Sequence, residues 1–526
     1  MVGVADMLSL LRSRGITLTV ENAQLRYRAP HGAVSAQEVE WIRARKVEII
    51  ELLGREDAVV AEPPLVSSPE RNCVPLTFAQ QWWWDCVSLM GSAGNVQLFN
   101  MRHCTHSMRI SGPLNIESLC RSLEALVRRH ESLRIRIVMT EERLTQEINE
   151  PRLYELEIID LSGSDAERSQ IEARRRVEEF MYEPVGPLFA ARLLRLADDD
   201  HVLAVGMSHA IIDATSMQIL LSDLLRFYAH AQAGTLLALP RIPLQYADYA
   251  IWQRRSEPWW TNTHGRYWRE RLHNARRIEC PLDADILKEP KVHSLRVRVA
   301  FDPRVIANLR ELSRRAHTSL PIAVMTAYAA VVLRWQGGND GVIRFMVDGR
   351  VRLELQDMVG YLSTFLCLRV QLSADQTFID LLQQASVEYR RAYEHYDFGR
   401  MSIPGMGFTH ALSVNWRKVP EDTKPASPVP DPGAGGAGDS LSVRPFQVTS
   451  FRDMRFPYDA RTPAFDPMLE IDEWGDAVSG ELLYRSDLFR TDTMERLAKS
   501  LCWFTERVVE SPRARVVSLT RSLWRG

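Results

Sequence analysis

The segment SHAIIDATS, at residues 208–216, combines residue types that could carry out proton transfer. A histidine side chain in general titrates near neutral pH, so His209 is of a residue type that can take a proton from an attacking hydroxyl or amine. Asp213 follows four residues later. The same pattern also occurs without chemistry, with the histidine hydrogen-bonded in the structure and the aspartate at the start of a helix. Taken alone, the spacing indicates catalysis only weakly.

The flanking residues predict the elements that position this segment. The apolar run VLAV at 202–205 predicts a buried β-strand. After the segment, apolar residues recur at helical spacing at Met217, Leu220, Leu221 and Leu224. His209 and Asp213 are therefore predicted to lie on a strand-to-helix connection, which is accessible and can hold a side chain against a cleft.

Length and composition limit the classes of protein. A chain of 526 residues exceeds one ordinary core, so we expect a small unit and two lobes of roughly 200 residues each. The hydrophobic share of 45% and the charged share of 25% are typical of a globular protein. Lysine and arginine total 65 and aspartate and glutamate 67, for a net charge of −2 without a basic stripe. Neither nucleic acid nor a membrane is favoured as partner.

Cysteine usage and apolar runs bear on the compartment. The seven cysteines are scattered without a CxxC pair, which favours neither disulfides nor a zinc site and fits a reducing cytoplasm. Arg12 and Arg14 interrupt the apolar pattern of the N-terminus, which is not typical of a secretory signal. No stretch reaches the 18 or so apolar residues of a membrane span. We expect a cytoplasmic protein without a metal or a bound cofactor.

Residues 1–56 read as a small αββα unit. An amphipathic helix is predicted up to Gly15, followed by a hairpin whose strands alternate in polarity, and a second helix begins near residue 35 with a capping box. Residues 57–71 read as a linker, and the Pro- and Gly-rich stretch 420–440 as a surface loop.

The N-terminal unit resembles the TubC-type β-hairpin docking domain of modular synthetases. The resemblance implies that the hairpin edge accepts the C-terminal tail of an upstream carrier protein as an added strand. We expect Arg26, Arg28 and Lys46 to pair with acidic residues of that tail. The alternative is that these three are solvated charges that protect the sheet edge.

The segment SHAIIDATS resembles HHxxxDGxS, the active-site motif of nonribosomal peptide synthetase condensation domains. His209, Asp213 and Ser216 match, whereas Ser208 replaces the first histidine and Ala214 replaces the glycine. Chain-releasing members of the family carry SHxxxD and then, after fourteen intervening residues, a tyrosine, which here is Tyr228. The resemblance implies that His209 is catalytic, and that Ser208, Asp213, Ala214, Ser216 and Tyr228 support it structurally.

Further blocks extend the resemblance over the body of the chain. They are LTFAQQWWWD at 76–85, RRHESLRIRI at 128–137, QYADYAIWQ at 245–253, VGYLSTFLCLR at 359–369 and ELLYRSDLF at 481–489. In the second block an arginine is expected to pair with Asp213, with Arg129 as first choice and Arg134 as second. Without the family resemblance, His130 is predicted to be a structural histidine, and the tryptophan clusters are predicted to pack in the core.

The family's fold consists of two chloramphenicol-acetyltransferase-like lobes in a V-shaped pseudo-dimer, a mixed α/β fold. We expect the lobes at 72–245 and 246–526, with His209 between them. The implied activity is transfer of an acyl chain from the phosphopantetheine thioester of a carrier protein to a hydroxyl or amine supplied in trans, free or carrier-bound. The resemblance favours release as an ester or amide, and the preferred version is ester formation onto a small hydroxy acid, as in enacyloxin-type hybrid polyketide pathways. A non-catalytic recruitment platform and a polyketide-associated acyltransferase of the same fold are the alternatives.

Overall fold

The computed structural model describes most of the chain. Described are Met7, Leu11 and residues 17–21, 24–28, 36–49, 62–90, 104–140, 143–182, 187–235, 239–283, 294–396, 412–418, 442–445, 467–486 and 488–520. The predicted loop 420–440 lies outside the described residues, as does the predicted first helix apart from Met7 and Leu11, which are helical.

The chain divides into two compact units, one of Met1–Pro63 with Ser256–Arg266 and one of Pro64–Arg255 with Tyr267–Gly526. In the first unit, β1 (Thr17–Glu21) and β2 (Gln24–Arg28) form the predicted antiparallel hairpin. Helix α1 (Ala36–Ala44) follows, and Ile42 and Ile49 are buried. Among the described residues of this unit, the alternating pattern thus produces the expected hairpin and the helical pattern after residue 35 produces the expected helix.

The second unit contains the remaining elements. Its helices are α2 (Phe78–Met90), α3 (Ile116–Arg129), α4 (Ala166–Tyr182), α5 (Ala214–Gln232), α6 (Tyr246–Arg255), α7 (Glu257–Arg271, whose first residues belong to the first unit), α8 (Pro303–Arg315), α9 (Leu320–Trp335), α10 (Phe378–Glu394), α11 (Thr491–Glu510) and α12 (Val516–Thr520). Its strands are β3 (Val74–Pro75), β4 (Cys104–Ser111), β5 (Ile135–Thr140), β6 (Arg143–Ile148), β7 (Glu157–Asp160), β8 (Phe189–Ala197), β9 (Asp200–Met207), β10 (Ser294–Val299), β11 (Asp340–Val347), β12 (Thr364–Gln371), β13 (Ser413–Lys418), β14 (Ser442–Pro445), β15 (Met468–Trp474) and β16 (Ala477–Arg485).

A five-stranded sheet in the order β14-β4-β9-β8-β7 organises the earlier half of this unit. Helix α4 packs on it through Ala173, Val177 and Phe180, which form a core with Val202 and Ala204. Strands β3, β6 and β5 form a smaller sheet. Strand β14 comes from the later half of the chain, so residues after 246 complete the first sheet. The apolar run at 202–205 is a strand, as predicted.

A six-stranded sheet in the order β10-β16-β15-β13-β11-β12 organises the later half. Alternation places Leu469 and Ile471 on one face, against which helices α8 to α11 pack. Helix α9 is buried along almost its whole length, which explains its uniformly apolar sequence. The opposite face, called here the polar sheet face, carries Arg296, Arg344, Cys367, Ser413, Arg417 and Glu470.

Residues 64–71 of the predicted linker belong to the second unit. The Ser68 amide donates to Asp248 over 2.8 Å, and Arg71 pairs with Glu131 over 2.8 Å.

No single helix in the described part of the chain is long and apolar enough to cross a membrane. Helices α8 and α9, which are bent by 103° relative to each other, pass that test as a pair by length and composition.

Candidate active site

The segment 208–213 connects β9 to α5, as its sequence predicts. Asp213 is the N-cap of α5, with an extended backbone (φ −130°, ψ −179°), and its carboxylate accepts from the Ser216 amide over 2.8 Å. This satisfies one of the amides left free at the start of a helix. Ala214 is the first helical residue and is exposed.

His209 lies on this connection, half-buried between two aromatic rings. Its ring centre is 5.5 Å from that of Trp83 on α2 and 4.3 Å from that of Tyr361. Tyr361 comes from the segment before β12, so residues of both halves of the chain surround the imidazole. In the sequence, Trp83 belongs to a tryptophan cluster that predicts core packing, and no pattern marks Tyr361 as a site residue. These two residues are identified by their distance from His209 in the folded chain and not by their spacing in the sequence.

Short hydrogen bonds fix the backbone beside the histidine. The amide of Ser208 donates to Leu188 O over 2.9 Å, and its hydroxyl accepts from the Ala210 amide over 3.2 Å. From α2, the Gln80 side-chain amide donates to Ala210 O (3.0 Å) and to Gln146 (3.1 Å). Ser208, which is fully buried, therefore stabilises the turn. Gln80 matched a family block in the sequence, but its contact with this turn was not foreseen.

Asp213 forms a buried ion pair with Arg350, which follows β11. The two guanidinium nitrogens donate to the two carboxylate oxygens over 2.9 and 3.0 Å. The exposed fractions are 4% for Asp213 and 3% for Arg350. Burial alone would raise the pKa of Asp213, but the Arg350 charge and the hydrogen bonds outweigh it and the pKa lies below its usual value. The carboxylate is therefore ionised.

The prediction that Arg129 or Arg134 pairs with Asp213 is wrong. Arg129 donates instead to Asp223, over 2.8 Å, and to Pro240 O. Arg134 donates to the backbone carbonyls of Val127 and Asn149. Arg129 ends α3 and Arg134 follows it, so both side chains reach residues next to α3. Asp213 instead faces the later half of the chain.

Asp213 and Ser216 also hold the segment that precedes β12. The amides of Leu362 and Ser363 each donate to Asp213 over 3.0 Å. The Ser216 hydroxyl donates to Gly360 O over 2.8 Å and accepts from Arg350 over 2.7 Å. Asp213 and Ser216 are thus structural, and their bonds place Tyr361 against His209.

Two glycines permit this close approach. A Cβ on Gly360 would lie 2.2 Å from the ring of Tyr246. Gly349 has φ +72°, and a Cβ there would lie 2.1 Å from Leu362 O. The Tyr246 hydroxyl meets Thr77 over 2.9 Å and donates to Tyr361 O over 3.1 Å. Helix α6 therefore supports the same segment from the other side.

Tyr228 does not reach the site, contrary to the prediction. It lies 15 residues beyond Asp213 on the same helix, about 22 Å along the axis. Its hydroxyl accepts from the Asn115 amide over 3.0 Å, at the start of α3. It therefore joins α5 to α3. His130 is a buried structural histidine, as predicted, with Nε2 2.9 Å from Asp223.

The predicted docking residues lie in the first unit. Arg26 and Arg28 are on β2, opposite Thr19 and Thr17, but their side chains are outside the described residues. Lys46 follows α1 and is exposed. Pairing of these three with a partner's acidic tail stays a prediction.

Electrostatics near His209 bear on which groups can react. Burial, reinforced by the charge of Asp213, raises the pKa of the Cys104 thiol to about 12, so this thiol is protonated and a poor nucleophile. Within the described ranges, no group of three histidine, cysteine, aspartate or glutamate residues could hold a metal ion. Asp213 is occupied by Arg350 and by backbone amides, and a role of the His209 imidazole in proton transfer stays a prediction.

Comparison with known proteins agrees with these features. Residues 70–405 match the model of the condensation domain, and residues 4–54 that of the TubC N-terminal docking domain. Chondramide synthase from Chondromyces crocatus is 27% identical over 476 residues, covering 88% of this chain. A phosphinothricin tripeptide synthetase from Streptomyces viridochromogenes is 30% identical over 477 residues, covering 87% of this chain. The chain spans 12% of the first relative's length and 42% of the second's.

Solved structures share the fold. The complex of the X-domain and OxyB from teicoplanin biosynthesis matches with a TM-score of 0.68 at 23% identity, over 88% of this chain and 98% of that one. A structure on condensation domain-mediated chain release from the enacyloxin polyketide synthase matches with a TM-score of 0.65 at 21% identity, over 97% and 96%. The predicted chloramphenicol-acetyltransferase-like fold is confirmed. The chain belongs to the condensation domain family, with an N-terminal docking domain of the TubC type.

Proposed function

We propose that this chain transfers an acyl group from a carrier-protein phosphopantetheine thioester to a hydroxyl or amine. The acceptor's oxygen or nitrogen bonds to the acyl carbon, and the acceptor's proton passes to His209. The carbon–sulfur bond breaks, and the departing thiolate takes up that proton. Such proton transfer contributes about 10²- to 10⁴-fold in rate. Holding both reactants in one site contributes a further part of the rate enhancement.

The observation that carries the proposal is the division of roles between His209 and Asp213. Asp213 accepts bonds from Arg350 and from three backbone amides, so its carboxylate is structural. His209 instead presents a half-exposed ring, fixed by Trp83 and Tyr361. In this proposal the two aromatic rings set the position of the imidazole.

The step we favour is release of a finished chain as an ester or amide. Ser208, in place of the first histidine of the motif, supports release, and so does the fold shared with the enacyloxin chain-release domain. The donor would be an upstream carrier whose acidic tail docks at Arg26, Arg28 and Lys46. The lobes would span 72–245 and 246–526.

An intact-mass assay tests the function. A carrier protein loaded with an octanoyl group is incubated with the protein described here and with panels of small alcohols and amines. Loss of the octanoyl mass from the carrier, with formation of the matching ester or amide, is expected. Transfer to no acceptor, while the carrier keeps its octanoyl group, would contradict the proposal.

A second assay tests docking. Removing residues 1–60 is expected to raise the KM for the cognate carrier and to leave transfer from soluble octanoyl-pantetheine unchanged. An unchanged KM for the carrier would show that the hairpin does not recruit it.

A recruitment platform is the second candidate function. It is favoured by the departures at Ser208 and Ala214 and by the fold shared with the X-domain that was solved in complex with OxyB. In that case substitution of His209 would leave the amount of the final biosynthetic product unchanged.

A further inference from the structure

Two aromatic side chains contact the imidazole of His209 from different parts of the fold. Trp83 lies on α2, and its ring is inclined by 38° to the imidazole, with the ring centres 5.5 Å apart. Tyr361 lies in the segment before β12, and its ring is inclined by 48°, with the ring centres 4.3 Å apart. Aromatic pairs that stack or meet edge to face have centres about 4.5–7 Å apart. Both rings are therefore in direct contact with the imidazole, and the ring of Tyr361 is the closer one.

The electrostatic effect of these contacts depends on the charge of the imidazole. The face of an aromatic ring carries partial negative charge, and it attracts a cation that lies within about 6 Å of the ring centre. Both ring centres lie within that distance of the imidazole of His209. Trp83 and Tyr361 are also buried, which strengthens the attraction because little water competes for the cation. The two rings therefore favour the imidazolium over the neutral imidazole.

The charged and titratable groups that the structure places around His209 largely cancel. Asp213, at the start of α5, is paired with Arg350 through hydrogen bonds of 2.9 and 3.0 Å. Burial, with a smaller effect of the Asp213 charge, raises the pKa of the Cys104 thiol on β4 to about 12, so this thiol is neutral. The one charged residue of α2, Asp85, is exposed to solvent. An effect of the aromatic rings on the imidazole is therefore not hidden by a nearby net charge.

Building on the acyl-transfer function proposed above, we propose that Trp83 and Tyr361 stabilise the imidazolium that His209 forms during transfer. As the acceptor's oxygen or nitrogen bonds to the acyl carbon, the acceptor's proton moves to the imidazole, which becomes a cation. The imidazole stays a cation until the departing thiolate takes up that proton. In this role both aromatic side chains act through the imidazole, so they are positioning residues.

Backbone bonds hold the segment that carries Tyr361, which allows its ring to be tested separately. The amides of Leu362 and Ser363 donate to Asp213 over 3.0 Å each. The backbone carbonyl of Tyr361 accepts from the Tyr246 hydroxyl over 3.1 Å. None of these bonds uses the side chain of Tyr361. Replacing that side chain therefore leaves the bonds in place and changes the contact with the imidazole.

The test titrates the ring of His209 in the full chain by NMR. Protein that contains isotope-labelled histidine is followed from about pH 5 to about pH 9, and the spectrum of His209→Ala identifies the signal. Tyr361→Leu removes the aromatic ring and keeps an apolar side chain, whereas Tyr361→Phe keeps the ring. The pKa of His209 should fall by about 0.5 to 1 in Tyr361→Leu, because the charged form loses stabilisation. In Tyr361→Phe the pKa should stay close to that of the wild type.

Trp83 gives an independent version of the test and decides it if Tyr361→Leu does not fold. Its ring centre is farther from the imidazole, so Trp83→Leu should lower the pKa in the same direction by a smaller amount. Trp83→Phe, which keeps an aromatic ring, should restore most of that loss. The matched control is Tyr389→Leu on α10, which removes a half-buried ring that contacts Phe345 and Tyr393. It should leave the titration unchanged.

The pH dependence of transfer provides a second measurement. Single-turnover rates with an octanoyl-loaded carrier should rise with pH as His209 loses its proton. In Tyr361→Leu this rise should move to lower pH by the amount that NMR finds. A purely structural role of Tyr361 would instead lower the rate at every pH and leave the midpoint of the rise in place.

The outcomes separate this proposal from the transfer function. A pKa of His209 that is unchanged or raised in both leucine variants would overturn the proposal. So would equal falls in Tyr361→Leu and Tyr361→Phe, because the hydroxyl and not the ring would then be responsible. Absence of transfer by the wild type would overturn the acyl-transfer function, while the NMR titration, which needs no substrate, would still decide whether the rings stabilise the imidazolium.

Discussion

Helix α5 carries two buried aspartates that pair with arginine, and they connect different parts of the molecule. Asp213, at its N-terminus, binds Arg350 and the amides before β12, so it joins the two halves of the chain beside His209. Asp223, ten residues later, binds Arg129 and His130 and joins α5 to α3. Both are aspartate–arginine ion pairs. The first joins the two halves of the chain at the candidate active site, and the second joins two neighbouring helices.

Removing the arginine of the first pair should have the largest effect. Arg350→Ala leaves the Asp213 carboxylate buried without its counter-charge, which costs about 3–5 kcal/mol of unfolding free energy. Transfer should fall even in the protein that stays folded, because Tyr361 loses its support. Urea unfolding and single-turnover transfer measure the two effects. A loss below about 1 kcal/mol, with normal transfer, would contradict the role of this pair.

Removing the second pair should be milder and should spare transfer. Asp223→Asn weakens the bonds to Arg129 and His130, at a cost of about 2 kcal/mol, since hydrogen bonds to charged groups contribute that much. The rate per folded molecule should stay within about threefold of wild type. If Asp223→Asn reduces that rate as strongly as Arg350→Ala, the distinction between the two aspartates is wrong.

Crowding the segment beside the first pair should have a smaller effect on stability. Gly360→Ala places a Cβ 2.2 Å from the buried Tyr246 ring, which must move. We expect a loss of about 1.5 kcal/mol and slower transfer, because Tyr361 shifts against His209. Gly163→Ala is the matched control, since nothing lies within 4 Å of its added Cβ. Equal stability of the two variants would show that the Gly360 segment is not tightly held.

The two pairs should also differ in their response to pH. Burial, more than any other cause, lowers the pKa of His130, so the unfolded state takes up a proton first as the pH falls below about 6.5. His130 therefore lowers stability in that range, by up to about 1.4 kcal/mol per pH unit. The pKa of Asp213 is below its usual value, so its contribution persists above about pH 3.9 and is lost only below it.

Urea unfolding between pH 7 and 5 checks this difference. The stability of wild type should fall more steeply with decreasing pH than that of His130→Gln, which keeps a side-chain amide near Asp223. Parallel curves for the two proteins would mean that His130 is already protonated in the folded state.

Local patterns in the sequence predicted the position of the site but not its partners. The apolar strand, the turn and the helix around His209 follow from side-chain periodicity, and they formed as expected. The partner of Asp213 could not be read in this way, because Arg350 lies 137 residues away in the sequence and the expected partner, Arg129, came from a family block. Tyr228 matched a family spacing, yet helix geometry carries it about 22 Å from Asp213.

The most direct test of the central claim is the single-turnover rate of transfer by His209→Ala. With a saturating octanoyl-loaded carrier and an acceptor that the wild type uses, the rate should fall about 10²- to 10⁴-fold. Unfolding by urea should stay close to wild type, because the bonds of Asp213 remain in place. A transfer rate equal to that of wild type would contradict the account and would favour a recruitment platform.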